Sequence, residues 1–370
     1  MKSTVIAFFL ALLILSCKEK IEKKEVVKKI ENFKIEFGKV SKKSIFKEEG
    51  KSVWGGSLIK GEDNLYHMFY SRWPKNIGWE WVNYSEIAHA TSPSPFGPFT
   101  FKNVALADRG VEFWDGGTTH NPTIIKVDTN YYLYYMGNTG DKKIVSKPGK
   151  PKLNWKHRNN QRIGVAVAKN LNGPWKRLDK PVIDITPNIN AHDALMTSNP
   201  SVCKMPNGKI LMVYKAVGKK NKLPSGGPVV HLVAIGDTPT GPFIKYPDPI
   251  FVFKGERFPA EDPYIWYQDG KYRAIVKRFK TVDKKRVFSL VHYDSEDGIK
   301  WEQGKYFNIS DRTVVWEDDT ETKFDHLERP QVYLENGEPL ALLCAADTID
   351  VNNVRHSFNI QIPLKISKEK

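Results

Sequence analysis

Hydrophobic positions follow two regimes along this chain. Residues 5–15 form one unbroken apolar run, and from Trp54 onward apolar residues come in short strand-length runs separated by polar turns. One phrase recurs: a polar residue, proline, then an apolar strand. It reads Asn121-Pro122-Thr123-Ile124-Ile125, Asn199-Pro200-Ser201-Val202-Cys203, Asp262-Pro263-Tyr264-Ile265-Trp266 and Arg329-Pro330-Gln331-Val332-Tyr333. Each copy leads through a turn to a second apolar strand, at residues 131–136, 210–214, 272–276 and 339–344. Asn207-Gly208, Asp269-Gly270 and Asn336-Gly337 are hairpin signals. A second phrase, glycine-proline-aromatic, follows as Gly97-Pro98-Phe99, Gly173-Pro174-Trp175 and Gly241-Pro242-Phe243, with a decayed copy at Asp297-Gly298-Ile299-Lys300-Trp301.

The repeats predict five units, beginning near Trp54, Asn121, Asn199, Asp262 and Arg329. Each holds three or four short antiparallel strands and no convincing helix. A lone four-stranded sheet cannot bury both faces, whereas radial stacking buries them and leaves only short edges. The expected fold is all-β: a five-bladed β-propeller, a single domain over residues 44–370. A β-sandwich does not account for a repeat that carries the same two phrases.

Composition agrees with a globular domain. The 370 residues are 40% hydrophobic and 27% charged, which excludes a disordered chain and a multi-span membrane protein. Three cysteines are too few for a disulfide scaffold or a four-cysteine zinc site. Cys203 and Cys344 lie in apolar strands and read as buried free thiols. The net charge of +15 resides partly in residues 18–43, rich in lysine and glutamate, so a nucleic-acid surface loses support.

The amino terminus reads as an address. Ile14-Leu15-Ser16-Cys17, after a basic start and the apolar run, resembles the lipobox of bacterial lipoproteins. The resemblance implies removal of residues 1–16, lipidation of Cys17 and attachment to a membrane of the bacterial cell envelope, with residues 17–43 as a charged tether. An ordinary signal peptide with a chance cysteine is the alternative.

If the five inner strands begin together at one end of an axis, the residues before each proline converge. Those are His120 and Asn121, Ser198 and Asn199, Glu261 and Asp262, and Glu328 and Arg329. Asp115, His192, Asp193, Asp325 and His326 lie just upstream, and Trp114 neighbours Asp115 as a candidate sugar platform. Crowded carboxylates have their pKa values driven apart, which lets one group hold a proton while another stays ionised. Each residue also has a plainer reading. Glu261 would salt-bridge to Arg257 or Arg278, Asp115 and Asp193 would shape turns, and the histidines would bond backbone. Trp73, Trp79, Trp81 and Trp155 fall in long insertions, as sugar platforms or core aromatics. Arg72, Arg158, Arg162 and Lys215 would recognise sulfate or uronate, or simply be solvated. No phosphate loop, His-Glu-x-x-His, Cys-x-x-Cys or Gly-x-Ser-x-Gly occurs.

The five-fold repeat, the glycine-proline-aromatic phrase and Glu261-Asp262-Pro263 resemble the five-bladed propeller glycosidases, glycoside hydrolase families 43, 62, 32, 68, 117 and 130. The resemblance implies a carbohydrate substrate, hydrolysis without a cofactor or metal, and Glu261 as general acid. Asp193 or Asp115 would be the base, with inversion favoured. It further implies substrate contacts from His120, Asn121, Trp114, His192, Asn199, Asp262, His326, Glu328 and Arg329. Two departures stand out. The blade-one position that carries the family 43 base is Gly55-Gly56-Ser57 here, and the blade-three aspartate is replaced by Asn199. A glycan-binding lipoprotein without catalysis, or a phosphorylase, remains open. Family 117 recruits a histidine beside its carboxylates, which keeps His120, His192 and His326 in play.

Overall fold

The structure, a computed structural model, describes residues 32–369 apart from 148, 149, 284 and 353. Cys17, the apolar run and most of the proposed tether therefore lie outside the described residues. Among the described residues no helix is long and apolar enough to cross a membrane.

Five antiparallel sheets follow one another along the sequence. Blade one is Lys51–Lys60, Tyr66–Pro74, Glu86–Ser92 and Thr100–Leu106. Blade two is Thr118–Val127, Asn130–Asn138, Arg162–Ala168 and Lys176–Arg177. Blade three is Met196–Lys204, Ile210–Val217, Val229–Gly236 and Phe243–Ile250. Blade four is Ala260–Gln268, Lys271–Val282, Lys285–Ser295 and Glu302–Ser310. Blade five takes His326–Glu335, Glu338–Ile349 and Arg355–Glu369 from the carboxyl end, and Asn32–Phe37 from the amino end.

That last strand corrects the expected boundary at residue 44. Asn32–Phe37 pairs in antiparallel register with the final strand, Ile35 opposite Ile366. Phe33 and Ile35 alternate inward to be 2% and 4% exposed. The segment has a strand's period-two pattern inside a charged composition, and the pattern decides its fate.

The cores lie between blades. Ile163 and Val165 of blade two pack with Val202 and Met212 of blade three. Val213 and Val233 of blade three meet Ala274 and Val276 of blade four. Phe69 and Ile87 of blade one meet Leu133 and Ala166 of blade two. Each sheet thus buries both faces against its neighbours. Cys203 and Cys344 belong to these cores, and burial pushes the Cys203 thiol up to about 12. Two short helices, Trp81–Tyr84 and Trp155–Asn159, lie in the long insertions of blades one and two.

The recurring polar-proline phrase has a backbone cause. Every inner strand slips register at the same place, between Trp54 and Ser57, His120 and Thr123, Ser198 and Ser201, Glu261 and Tyr264, and Glu328 and Gln331. The residue before the proline has positive φ in each case: Asn121 53°, Asn199 50°, Asp262 50° and Arg329 52°. Asparagine and aspartate tolerate this conformation better than other side chains. Blade one places Gly55 there, at φ 52°. The bulge re-aims side chains toward the axis at one end of each inner strand, and so builds the site.

Candidate functional site

A cavity of about 410 Å³ opens at that end of the axis. Its floor is the ring of left-handed residues. Asn121 Nδ2 donates to Asn199 Oδ1 at 2.8 Å, and Asn199 Nδ2 donates to Asp262 Oδ1 at 2.6 Å. Arg329 closes the circle, 3.8 Å from Asp262 Oδ1 and donating to the Asn121 carbonyl at 3.0 Å. Gly55 makes room for them. A Cβ there would stand 3.2 Å from Asn121 Oδ1 and 3.3 Å from Arg329 Cγ.

Above the floor come the preceding residues and their cross-strand partners: Trp54 with Ser71, His120 with Met136, Ser198 with Lys215, Glu261 with Lys277, and Glu328 with Ala345. One side of the cavity is therefore aromatic and the other ionic. Trp54, Trp73, Trp79 and Trp81 line it, the ring of Trp81 stacked 4.7 Å from that of His120. Phe258, Phe279 and Phe288 line it as well.

The ionic side is a series of linked charges. Glu261 receives Lys215 Nζ at 2.7 Å and Lys277 Nζ at 3.2 Å, and Lys277 also donates to Glu328 Oε1 at 2.5 Å. Burial alone would raise the Glu261 pKa, but the two ammonium groups outweigh it and hold the carboxyl well below its ordinary range. Asp262 goes the other way. Burial, joined by the negative charge of Glu261, pushes it up to about 6, against the pull of Arg329 and the lysines. Lys277 is raised in turn, Glu328 and Glu261 outweighing its desolvation.

Two histidines reach the cavity in different states. His120 is buried, its Nδ1 2.7 Å from Ser85 Oγ. Desolvation, then the charges of Arg329 and Lys215, hold it well below the ordinary histidine range, so it is neutral. His326 places Nδ1 2.8 Å from Asp347 Oδ1, while Asp347 is fully buried and also paired with Arg355 at 3.0 Å. That pairing leaves the other ring nitrogen of His326 for the cavity.

The structure thus brings together Glu261, Asp262, His120, Asn121, Asn199, His326 and Glu328, with Arg329 beneath them. It corrects four expectations. Asp115 does not line the cavity; it is fully buried between Arg109 (2.7 Å), Tyr135 OH (2.6 Å) and Arg177 (3.4 Å). Asp193 is likewise spent on Lys245 at 2.6 Å and Tyr214 OH at 3.4 Å. Trp114 stacks on Tyr135 inside blade two and is no platform in the mouth. His192 stands beside Asp193, away from the cavity. Trp155 is also outside it, and Arg72 and Arg162 are tied up by Glu48, Glu86 and Asp184. Glu261 pairs with neither Arg257 nor Arg278; Arg278 takes Glu256.

Sequence reading passed over Trp54, Lys277, Phe258, Phe279, Arg286, Phe288 and Arg355. Lys215 and Lys277 had a signal: both sit opposite the residue before the bulge, at the same place in neighbouring copies. Among the described residues no group of three histidine, cysteine or carboxylate side chains is placed to hold a metal.

No family model matches the sequence and no curated protein matches it either. Solved structures do resemble it. Zg3597, a family 117 glycoside hydrolase produced by the marine bacterium Zobellia galactanivorans, superposes with a TM-score of 0.61 at 16% identity, over 91% of both proteins. BT0996, solved as a complex with RGII, gives 0.61 at 14% identity, over 86% of this protein and 89% of its own length. An endo-arabinase from Bacteroides thetaiotaomicron VPI-5482 gives 0.53 at 12%, over 90% and 98%. At such identities the likeness establishes the five-bladed fold, the one these glycoside hydrolases share.

Proposed function

We propose that this protein is a glycoside hydrolase whose chemistry takes place in the axial cavity. The observation that carries the reading is one of contrast. A glutamate kept ionised by two lysines and a histidine backed by a buried aspartate line the same aromatic-walled cavity. Hydrolysis of a glycosidic bond needs a negative group for the sugar carbon or its attacking water, and a proton for the leaving oxygen. Glu261 suits the first task. The proton-donor role that the family resemblance assigns it would need a proton the lysines discourage. His326, oriented by Asp347, suits the second. The tryptophans would stack on the C–H faces of the sugar rings. With Cys17 lipidated, the cavity would work at the cell envelope.

The test is product release from a panel of plant and algal oligosaccharides. Glu261→Gln and His326→Asn should each lower turnover by about two to four orders of magnitude. Unchanged turnover of a cleaved glycan in Glu261→Gln removes the mechanism.

A second reading, glycan binding without cleavage, has its own support. Blade one supplies Gly55 and Gly56 where a carboxylate would stand, and Glu261 is doubly ion-paired. Binding with no product from any oligosaccharide selects it.

A further inference from the structure

Arginines in this protein mostly face a carboxylate. Arg72, Arg109, Arg162, Arg177, Arg273, Arg278 and Arg355 each have one within 3.5 Å. Arg286 and Arg158 have none among the described residues, and both lie within electrostatic reach of Glu261.

Arg286 lines the cavity itself. Its guanidinium lies 3.5 Å from the centre of the Phe279 ring and 4.8 Å from that of Phe258. One nitrogen, Nη2, donates to the Phe258 carbonyl at 3.1 Å. The group is thus held by two rings and one hydrogen bond, and keeps further N–H donors unspent. Arg158 is held in a similar way. Its Nη1 donates to the Ser225 carbonyl and to Asn159 Oδ1, both at 2.9 Å, and its guanidinium lies 5.6 Å from the centre of the Trp155 ring.

The neighbouring charges sharpen the point. Lys215 and Lys277 are engaged by Glu261 and Glu328, so the carboxylates of the cavity already have their partners. Arg355 is engaged by Asp347. What remains for an incoming molecule is a positioned guanidinium at the cavity wall. A guanidinium fork matches the oxygens of a carboxylate or sulfate, and such pairs are bidentate and charge-assisted.

We propose that Arg286, assisted by Arg158, forms a subsite for an acidic sugar, one that carries a carboxylate or a sulfate ester. The proposal rests on the carbohydrate reading of the cavity and adds the substrate class. The sugar ring would lie along the aromatic side while its anionic substituent meets Arg286.

Calorimetric titration of the full-length protein tests it with matched pairs: oligogalacturonides against neutral galacto-oligosaccharides, and sulfated against desulfated galactan oligosaccharides. At least one acidic member should bind tenfold or more tighter than its neutral match. Arg286→Ala should bring that ratio to about one, and Arg286→Lys should keep part of it. Neutral sugars that bind as tightly as acidic ones, or a ratio that survives Arg286→Ala, overturn the subsite and leave the carbohydrate reading standing. Failure of every oligosaccharide to bind overturns both. Inorganic sulfate and phosphate are titrated alongside. Either one binding as tightly as the acidic sugar, and lost in Arg286→Ala, makes this a free-oxyanion site and overturns the sugar-borne form.

Discussion

Single side chains here divide into those that hold the blades and those that face the cavity, and spacing tells them apart. Asp115, Asp193 and Glu256 each stand six residues before a left-handed bulge residue, and each is met by a nearby cation: Arg109 and Arg177, Lys245, and Arg278. Tyr135 and Tyr214 bond the first two from equivalent positions, and in blade one Glu48 meets Tyr70 and Arg72. A group that recurs in blade after blade belongs to the repeat. Asp115→Asn should therefore cost about 3–5 kcal/mol, because two arginines lose their buried counter-charge. Urea unfolding measures the loss, and glycan binding should be untouched. Asp262 makes a prediction of opposite kind. Its folded pKa of about 6 lies above the ordinary aspartate value of 3.8, so between those limits the folded protein holds a proton that the unfolded protein has released. Its stability contribution is present at low pH and is lost as pH rises through about 6. Asp262→Asn, which keeps an acceptor for Asn199, should abolish roughly 1–3 kcal/mol of the stability difference between pH 5 and pH 7.5. Glu261 has the contrary sign: its depressed pKa contributes stability above 4.5 that is lost as pH falls further. Unfolding free energies of wild type, Asp262→Asn and Glu261→Gln across that range would separate the two.

Among the elements, the strand Asn32–Phe37 does the most for its length. It supplies the outer edge of blade five, so the two ends of the protein share one sheet and the ring is closed by hydrogen bonds. It also covers blade four. Phe33 lies 6.4 Å from Trp266, and the buried Arg273 guanidinium lies 3.9 Å from the Phe33 ring centre. Removing residues through Phe37 should cost roughly 4 kcal/mol from the burial of Phe33 and Ile35 alone. It also bares the long edge of Arg355–Glu369, so scanning calorimetry should show a lower transition and size-exclusion chromatography should show self-association. The strand was hard to read because lysines and glutamates occupy outward positions and its partner lies at the far end of the sequence. The inner strands were easy to read for the converse reason. Their bulge demands a residue tolerant of positive φ, and that demand prints Asn, Asn and Asp before proline at regular intervals.

At the scale of the whole molecule, the ring turns five local bulges into one site. Local pattern determined the number of blades, their order, the hairpins and the set of polar residues that open each inner strand, because those depend on neighbours a few residues apart. It also marked Glu261, Asp262, His326 and Glu328, which sit at or just before a bulge. What only tertiary structure decided is which charges meet. Lys215 of blade three and Lys277 of blade four reach the same Glu261, and Asp347 stands behind His326 across a strand pair. Asp115 and Asp193, equally polar and equally close to a bulge, are claimed by other cations. Strand register and blade packing set those distances. The ionisation of a buried carboxylate depends on charges a few ångströms away, wherever they lie in the sequence.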